Sequence, residues 1–258
     1  AQLGLTGVSA WRLDQVGATT KPIVLAAGVF DGAHRGHQAV FARARAAARS
    51  HRGDAWVMTF QPHPLRILTP RLAPPMLATE PERRRQIAAL GLDGYLVLPF
   101  SKRLAREQPM AFLQRLARCI PTLREIVVGK NWTFGYQARG NVQLLKQQAP
   151  RFGWTITVVP AVRWQGERIS SQRIREAVMR GALRSAAHML GRPYSVSGKV
   201  VAGRQFGRTM NFPTANIRTQ AEILPPPGIY AVWTTDGRTL WPGAAFLGDP
   251  TIQGPVVE

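Results

Sequence analysis

Short apolar runs alternate with segments in which apolar residues recur every three or four positions over the first 190 residues. Residues 22–28, 55–60, 94–99, 125–129 and 154–159 are such runs and are expected to be strands. Between them, residues 38–50, 82–90, 109–120 and 141–148 carry helical spacing, with Gly53 and Gly91 as stops for the first two. Two further helices are expected over 171–180 and 182–190, divided by Gly181. Strands alternating with helices imply an α/β domain whose parallel sheet is covered on both faces. After Gly191 the texture changes. Gly and Pro become frequent, and short β-prone runs at 194–201, 228–234 and 244–247 predict an antiparallel β domain. The expected division is 1–187 and 188–258.

Composition narrows the class. Hydrophobic residues make up 45% of the 258, ample for packed cores. No apolar run approaches the roughly 20 residues that span a bilayer, and no basic-then-apolar leader opens the chain. One cysteine, Cys119, excludes an internal disulfide framework and a multi-thiolate metal site; it reads as a buried small hydrophobe late in a helix. A cytoplasmic location and no membrane partner are expected. The net charge is +20, from 34 Lys and Arg against 14 Asp and Glu. The excess is spread along the chain, and Arg83-Arg84-Arg85 is its only run of three. Nucleic-acid binders concentrate charge in a stripe with stacking aromatics, so nucleic acid is not an expected partner. A diffuse positive field suits small anionic substrates.

Residues 28–37, Gly-Val-Phe-Asp-Gly-Ala-His-Arg-Gly-His, join the first long strand to the first helix. That junction lies at the carboxyl edge of a parallel sheet, where ligands bind. Gly28, Gly32 and Gly36 allow backbone amides to approach phosphate oxygens, and the helix N-terminus adds partial positive charge. His34 and His37, three apart, can face the same phosphates and donate to charge that builds during phosphoryl transfer. A histidine metal pair is the rival chemistry, without an obvious third ligand. An ordinary glycine-rich turn is the plain alternative.

This segment resembles the GxFDGxHxGH signature of bacterial bifunctional riboflavin kinase/FMN adenylyltransferases. Thr59-Phe60-Gln61-Pro62-His63-Pro64 resembles TFDPHP, and Leu98-Pro99-Phe100 with Leu104-Ala105 resembles LPF…LA. Val128-Gly129-Lys130-Asn131-Trp132-Thr133-Phe134-Gly135 with Arg139-Gly140-Asn141 resembles VGxDFxFGxxRxGD, and Ile169-Ser170-Ser171 with Arg175 resembles ISSTxIR. Five ordered matches are far more specific than one. The resemblance implies a Rossmann-like HxGH nucleotidylyltransferase domain that moves AMP from ATP onto FMN, giving FAD and pyrophosphate. By it, His34 and His37 are catalytic. Gly28, Phe30, Asp31, Gly32, Gly36, Ser170, Ser171 and Arg175 would meet ATP, and Asn131, Phe134 and His63 would meet FMN. Gln61, Asn131 and Gln172 replace the family's Asp, Asp and Thr, which bears on rate and on Mg²⁺ positioning.

Residues 198–217 resemble the GxVxxGxxxGRxxGFPTAN segment of the family's riboflavin kinase module, with Asn211 in place of Gly. The resemblance assigns Gly198, Gly203, Gly207, Thr214 and Asn216 to ATP, with Thr214 and Asn216 also to Mg²⁺. Residues 227–231 and 248–251 continue it. The base that activates the ribityl hydroxyl would be Glu258, the final residue, and the family's later strands have no counterpart. An incomplete β-barrel and an incomplete kinase are therefore expected, with apolar surface such as Val232 and Phe246 poorly covered. Two other functions stay open: a nucleotidylyltransferase with another phosphate acceptor, against which the Pro213–Asn216 segment speaks, and a basic nucleic-acid-binding module.

Overall fold

A computed structural model describes residues 10–202 and 214–248. It divides into two compact units, one of residues 7–75 and 80–171 and one of residues 1–6, 76–79 and 172–258.

The first unit is built on six parallel strands. In chain order its elements are β1 (Ala10–Trp11), β2 (Ile23–Ala27), α1 (Arg35–Ser50), β3 (Asp54–Gln61), α2 (Pro64–Leu68), α3 (Glu80–Ala89) and β4 (Gly94–Pro99). Then come α4 (Lys102–Ala105), α5 (Pro109–Cys119), β5 (Leu123–Gly129), the short pair β6 (Thr133–Phe134) and β7 (Gly140–Asn141), α6 (Val142–Gln148) and β8 (Thr155–Val159). A second short pair, β9 (Arg163–Trp164) and β10 (Glu167–Arg168), ends the unit; α7 (Ser171–Met179) follows, and from residue 172 on it belongs to the second unit. The sheet order is β1-β4-β3-β2-β5-β8. From the central β2 the chain builds one wing through β3 and β4, then crosses back to build the other through β5 and β8. The carboxyl ends of β2 and β5 therefore border the crevice where a doubly wound sheet takes ligands.

Two apolar clusters sandwich the sheet, sorted by strand alternation. Ile23, Leu25 and Ala27 of β2 face Phe112, Leu113 and Leu116 of α5 in one cluster. Val24 and Ala26 face Phe41, Ala44 and Ala47 of α1 in the other. Small residues along the buried stripe of α1 bring the helix close to the sheet, so its N-terminus is held firmly over the end of β2.

The second unit contains α8 (Leu183–Leu190) and two antiparallel pairs, β11 (Gly198–Val201) with β12 (Asn216–Thr219) and β13 (Gly228–Thr235) with β14 (Leu240–Leu247). Residues 76–79 belong to it: the Met76 amide donates to Glu222 Oε2 at 2.9 Å. Along β13 and β14, Ile229, Trp233 and Phe246 are exposed, while Val232 is half-buried.

Several elements differ from expectation. α1 begins at Arg35 rather than residue 38, because the His34 imidazole supplies a cap and draws Gly36 and His37 into the helix. β14 begins at Leu240 rather than 244, since its register with β13 extends to Thr235 opposite Leu240. β1, α2, α4, the two short hairpins and β12 were not expected from periodicity, being too short to show one. Cys119 closes α5 half-buried rather than fully buried.

Ala44 has no exposed surface in the α1–sheet contact. Ala44→Leu should overpack it and cost about 1–3 kcal/mol, read as a lower urea midpoint with unchanged slope.

Candidate functional site

The loop after β2 reaches the site through three consecutive local constraints. Phe30 takes a left-handed backbone conformation (φ 56°) with its ring buried against Phe41, centroids 4.7 Å apart, and edge-on to His37 at 5.2 Å. Gly28 makes room for that ring: a Cβ there would lie 2.8 Å from it. His34 is then the N-cap of α1, its Nδ1 accepting from the His37 amide at 3.3 Å. Accepting at Nδ1 places the proton of the neutral ring on Nε2, which is left as a donor. The His34 and His37 rings stack with centroids 3.5 Å apart, and a Cβ on Gly36 would press on the His34 ring at 3.0 Å.

His37 Nδ1 is buried without a hydrogen-bond partner. Desolvation, followed by His34, lowers the His37 pKa well below its ordinary value. The ring is therefore neutral at pH 7, and a phosphate oxygen brought to it would stabilise its protonated form.

Ser171, the first residue of α7, ties a second helix start to this loop: its hydroxyl donates to the Asp31 carbonyl at 3.0 Å. Asp31 itself is buried. Arg175, one turn into α7, is also buried and donates to Gln172 Oε1 at 3.4 Å. Gln172 in turn donates to Glu176 at 2.9 Å, so where the family pattern has Thr an amide links two charged side chains.

Beside the loop opens a cavity of about 700 Å³. Gly28 and Val29 form its edge next to the histidine pair, and Phe60, Phe100, Phe112, Trp132, Phe134 and Tyr136 supply aromatic walls. These residues come from or follow the carboxyl ends of β2 to β5, with Phe112 contributed by α5. Trp132 stacks on Phe134 at 4.8 Å and 22°, presenting a paired aromatic face. His63 and Asn131 add polar groups to the same wall. His63 caps α2 by accepting from the Leu65 amide at 3.2 Å. The structure thus brings His63, Asn131 and Phe134 together around one cavity.

Periodicity did not reveal Arg83. It lies in the one run of three arginines, yet it is 1% exposed and shares its inward side of α3 with Ile87. Its guanidinium donates to the Val29 carbonyl (3.2 Å), the Phe60 carbonyl (3.3 Å), Gln61 Oε1 (3.2 Å) and the Tyr95 hydroxyl (3.1 Å). The Val29 carbonyl also accepts from Thr59 at 2.8 Å. The spacing from Arg83 to Ile87, four residues on one helix, was the available signal.

In the second unit Thr214 precedes β12, and Asn216 opens it opposite Val201; Gly198 opens β11. Gly203, Gly207, Asn211 and Glu258 lie outside the described residues. Among the described residues no three His, Cys, Asp or Glu side chains converge on a cation site. No helix among them is long and apolar enough to cross a membrane.

A stacked histidine pair thus stands at a helix start, and an aromatic cavity is lined by the loop that precedes it. In the family comparison, residues 17–173 match the FAD synthetase model and residues 190–258 the riboflavin kinase model. The chain belongs to the FAD synthetase family. The bifunctional riboflavin kinase/FMN adenylyltransferase of Escherichia coli (strain K12) is 34% identical across 90% of this chain and 74% of its own length. Its counterpart in Pseudomonas fluorescens is 33% identical across 88% and 73%. A crystal structure of a macrolide-efflux protein from Streptococcus pneumoniae superposes with a TM-score of 0.82 and 29% identity, covering 96% of this chain and 82% of that one. The two family matches flank the change of texture near residue 190, whereas the structural division falls at 171/172.

The His37 environment makes folding stability pH-dependent with a definite sign. Its folded pKa lies below its unfolded value, so the unfolded chain binds more protons as the pH falls. The contribution is complete above the unfolded value near 6.5 and is lost as the pH drops toward the folded one. Melting temperature should thus fall less steeply from about pH 7 to pH 5.5 in His37→Gln than in the parent. Parallel pH profiles for the two would contradict the assignment.

Proposed function

We propose that the site of residues 28–37, with the adjoining cavity, performs the FMN adenylyltransferase reaction of this FAD synthetase family member. An FMN phosphate oxygen attacks the α-phosphorus of ATP, the bond from that phosphorus to the β-phosphate bridging oxygen breaks, and pyrophosphate leaves as FAD forms. The carrying observation is adjacency: the aromatic cavity opens at Gly28 and Val29, on the loop that presents His34 and His37. A cavity of this size suits a flavin-sized ligand, and the paired Trp132–Phe134 face suits a flat ring system.

In this reading the chain supplies positioning and charge stabilisation rather than a covalent intermediate. His34 donates from Nε2 to the triphosphate, and His37 gains proton affinity as phosphate approaches. Gly28, Gly32 and Gly36 let amides come close, while Phe30, whose ring is buried, and Asp31 contribute through the backbone. Ser170, Ser171 and Arg175 hold phosphate at the start of α7. His63, Asn131 and Phe134 orient FMN. Mg²⁺ carried by ATP offsets polyphosphate charge.

For the later module, residues 188–258 following an adenylyltransferase module of 1–187, the reading is riboflavin kinase, with Gly198, Gly203, Gly207, Thr214 and Asn216 serving Mg-ATP. Thr214 and Asn216 offer side-chain oxygens, the donor type that suits a hard cation. The substrates are small molecules, ATP, FMN and riboflavin, and the setting is cytoplasmic.

Purified protein with ATP, Mg²⁺ and FMN should yield FAD and pyrophosphate in equal amounts. Turnover with another phosphate acceptor and none with FMN would overturn this reading. His37→Ala should lower kcat by about 10²–10³ with little change in far-ultraviolet circular dichroism; an undiminished kcat would remove His37 from the mechanism.

A further inference from the structure

Arg83 is a fully desolvated cation for which no role has yet been given. Burying a guanidinium is costly unless hydrogen bonds and opposite charge offset it. Among the described residues, every hydrogen bond of its side chain goes to a neutral oxygen: two backbone carbonyls, one amide and one phenol. Burial pushes the Tyr95 hydroxyl's pKa up, so that partner stays neutral too. No carboxylate among the described residues pairs with Arg83, and the position where the family pattern has Asp is held by Gln61. The carbonyls it clamps are not arbitrary. Val29 lies within the histidine-bearing loop, and Val29 and Phe60 both line the cavity.

We propose that Arg83 is a positioning residue for adenylyl transfer, and that Gln61 leaves its charge unneutralised behind residues 28–37, strengthening the hold of that loop on the ATP polyphosphate. The geometric half follows from a planar fork joining the ends of β2 and β3 through Val29 and Phe60. An ammonium group carries charge but cannot span those acceptors in one plane. The electrostatic half follows from burial. A charge screened by little water acts over longer range than a surface arginine does. A carboxylate at position 61 would close an ion pair with Arg83 and cancel that field.

Two substitutions separate the halves. Gln61→Glu keeps an acceptor but neutralises the charge, while Arg83→Lys keeps the charge but loses the fork. The proposal rests on the adenylyltransferase reading, so ATP affinity is measured first by calorimetry in the absence of FMN, where a mistaken acceptor has no influence. Gln61→Glu should weaken ATP binding by about tenfold, the scale of one partly screened charge near a polyphosphate. Its melting temperature should stay at or above that of the parent. Arg83→Lys should leave ATP affinity within about twofold, yet lower kcat for FAD formation at saturating ATP and FMN. Unaltered ATP affinity in Gln61→Glu overturns the proposal. So does an equal loss of affinity in both variants, which would make Arg83 a purely structural brace. Failure of the parent to make FAD, with the ATP affinities behaving as stated, would instead refute the FMN assignment.

Discussion

The cap on α1 uses an imidazole nitrogen where a hydroxyl or carboxylate is the usual acceptor. That substitution organises the site. By accepting the His37 amide, His34 is left with its remaining proton on Nε2, and the helix start carries a donor in place of an anionic capping group. Desolvation, with the stacked His34 ring beside it, lowers the His37 pKa and leaves that imidazole responsive to a phosphate. Gly36 is the space for one ring, and Gly28 is the space for the Phe30 side chain that backs the other. None of these residues could be exchanged for a larger one without displacing its neighbours.

The sheet explains why this cap lies beside an acceptor pocket. Crossing back from β4 to β5 leaves the ends of β2 and β5 adjacent, so the loop bearing the histidines and the segment bearing Asn131, Trp132 and Phe134 border one crevice. Polar and apolar demands are met on different walls. In the proposed reading, charge is handled at the helix start of α1, and a flat ring system lies against the stacked aromatics. Arg83 joins the two by holding Val29 and Phe60, the points where the phosphate loop and the cavity share backbone.

Much of this was legible in the chain of residues. The five long strands of the parallel sheet followed from the apolar runs, while His63, Asn131 and Phe134, which line one cavity, were named through the family resemblance. The start of α1 was placed late because Gly36 is a poor helix former, and only the side-chain cap from His34 overrides that preference. Arg83 was hidden for a different reason. A charged residue in a basic run carries no hydrophobic signal, and its inward direction becomes visible only when Val29, Phe60 and Gln61 converge on it through the sheet. The short strands β1, β6, β7 and β12 have too few residues for any period to register; they are set by their partners.

The central claim is that one continuous site holds the ATP phosphates over His34 and His37 and the flavin in the adjoining aromatic cavity. A crystal structure of the protein with FMN and a non-cleavable α,β-methylene analogue of ATP tests it most directly. The account predicts the isoalloxazine ring against Trp132 and Phe134, the triphosphate within hydrogen-bond reach of both imidazoles, and the FMN phosphate in line with the α-phosphorus. FMN bound elsewhere, with the cavity beside Gly28 and Val29 filled by solvent, would contradict it.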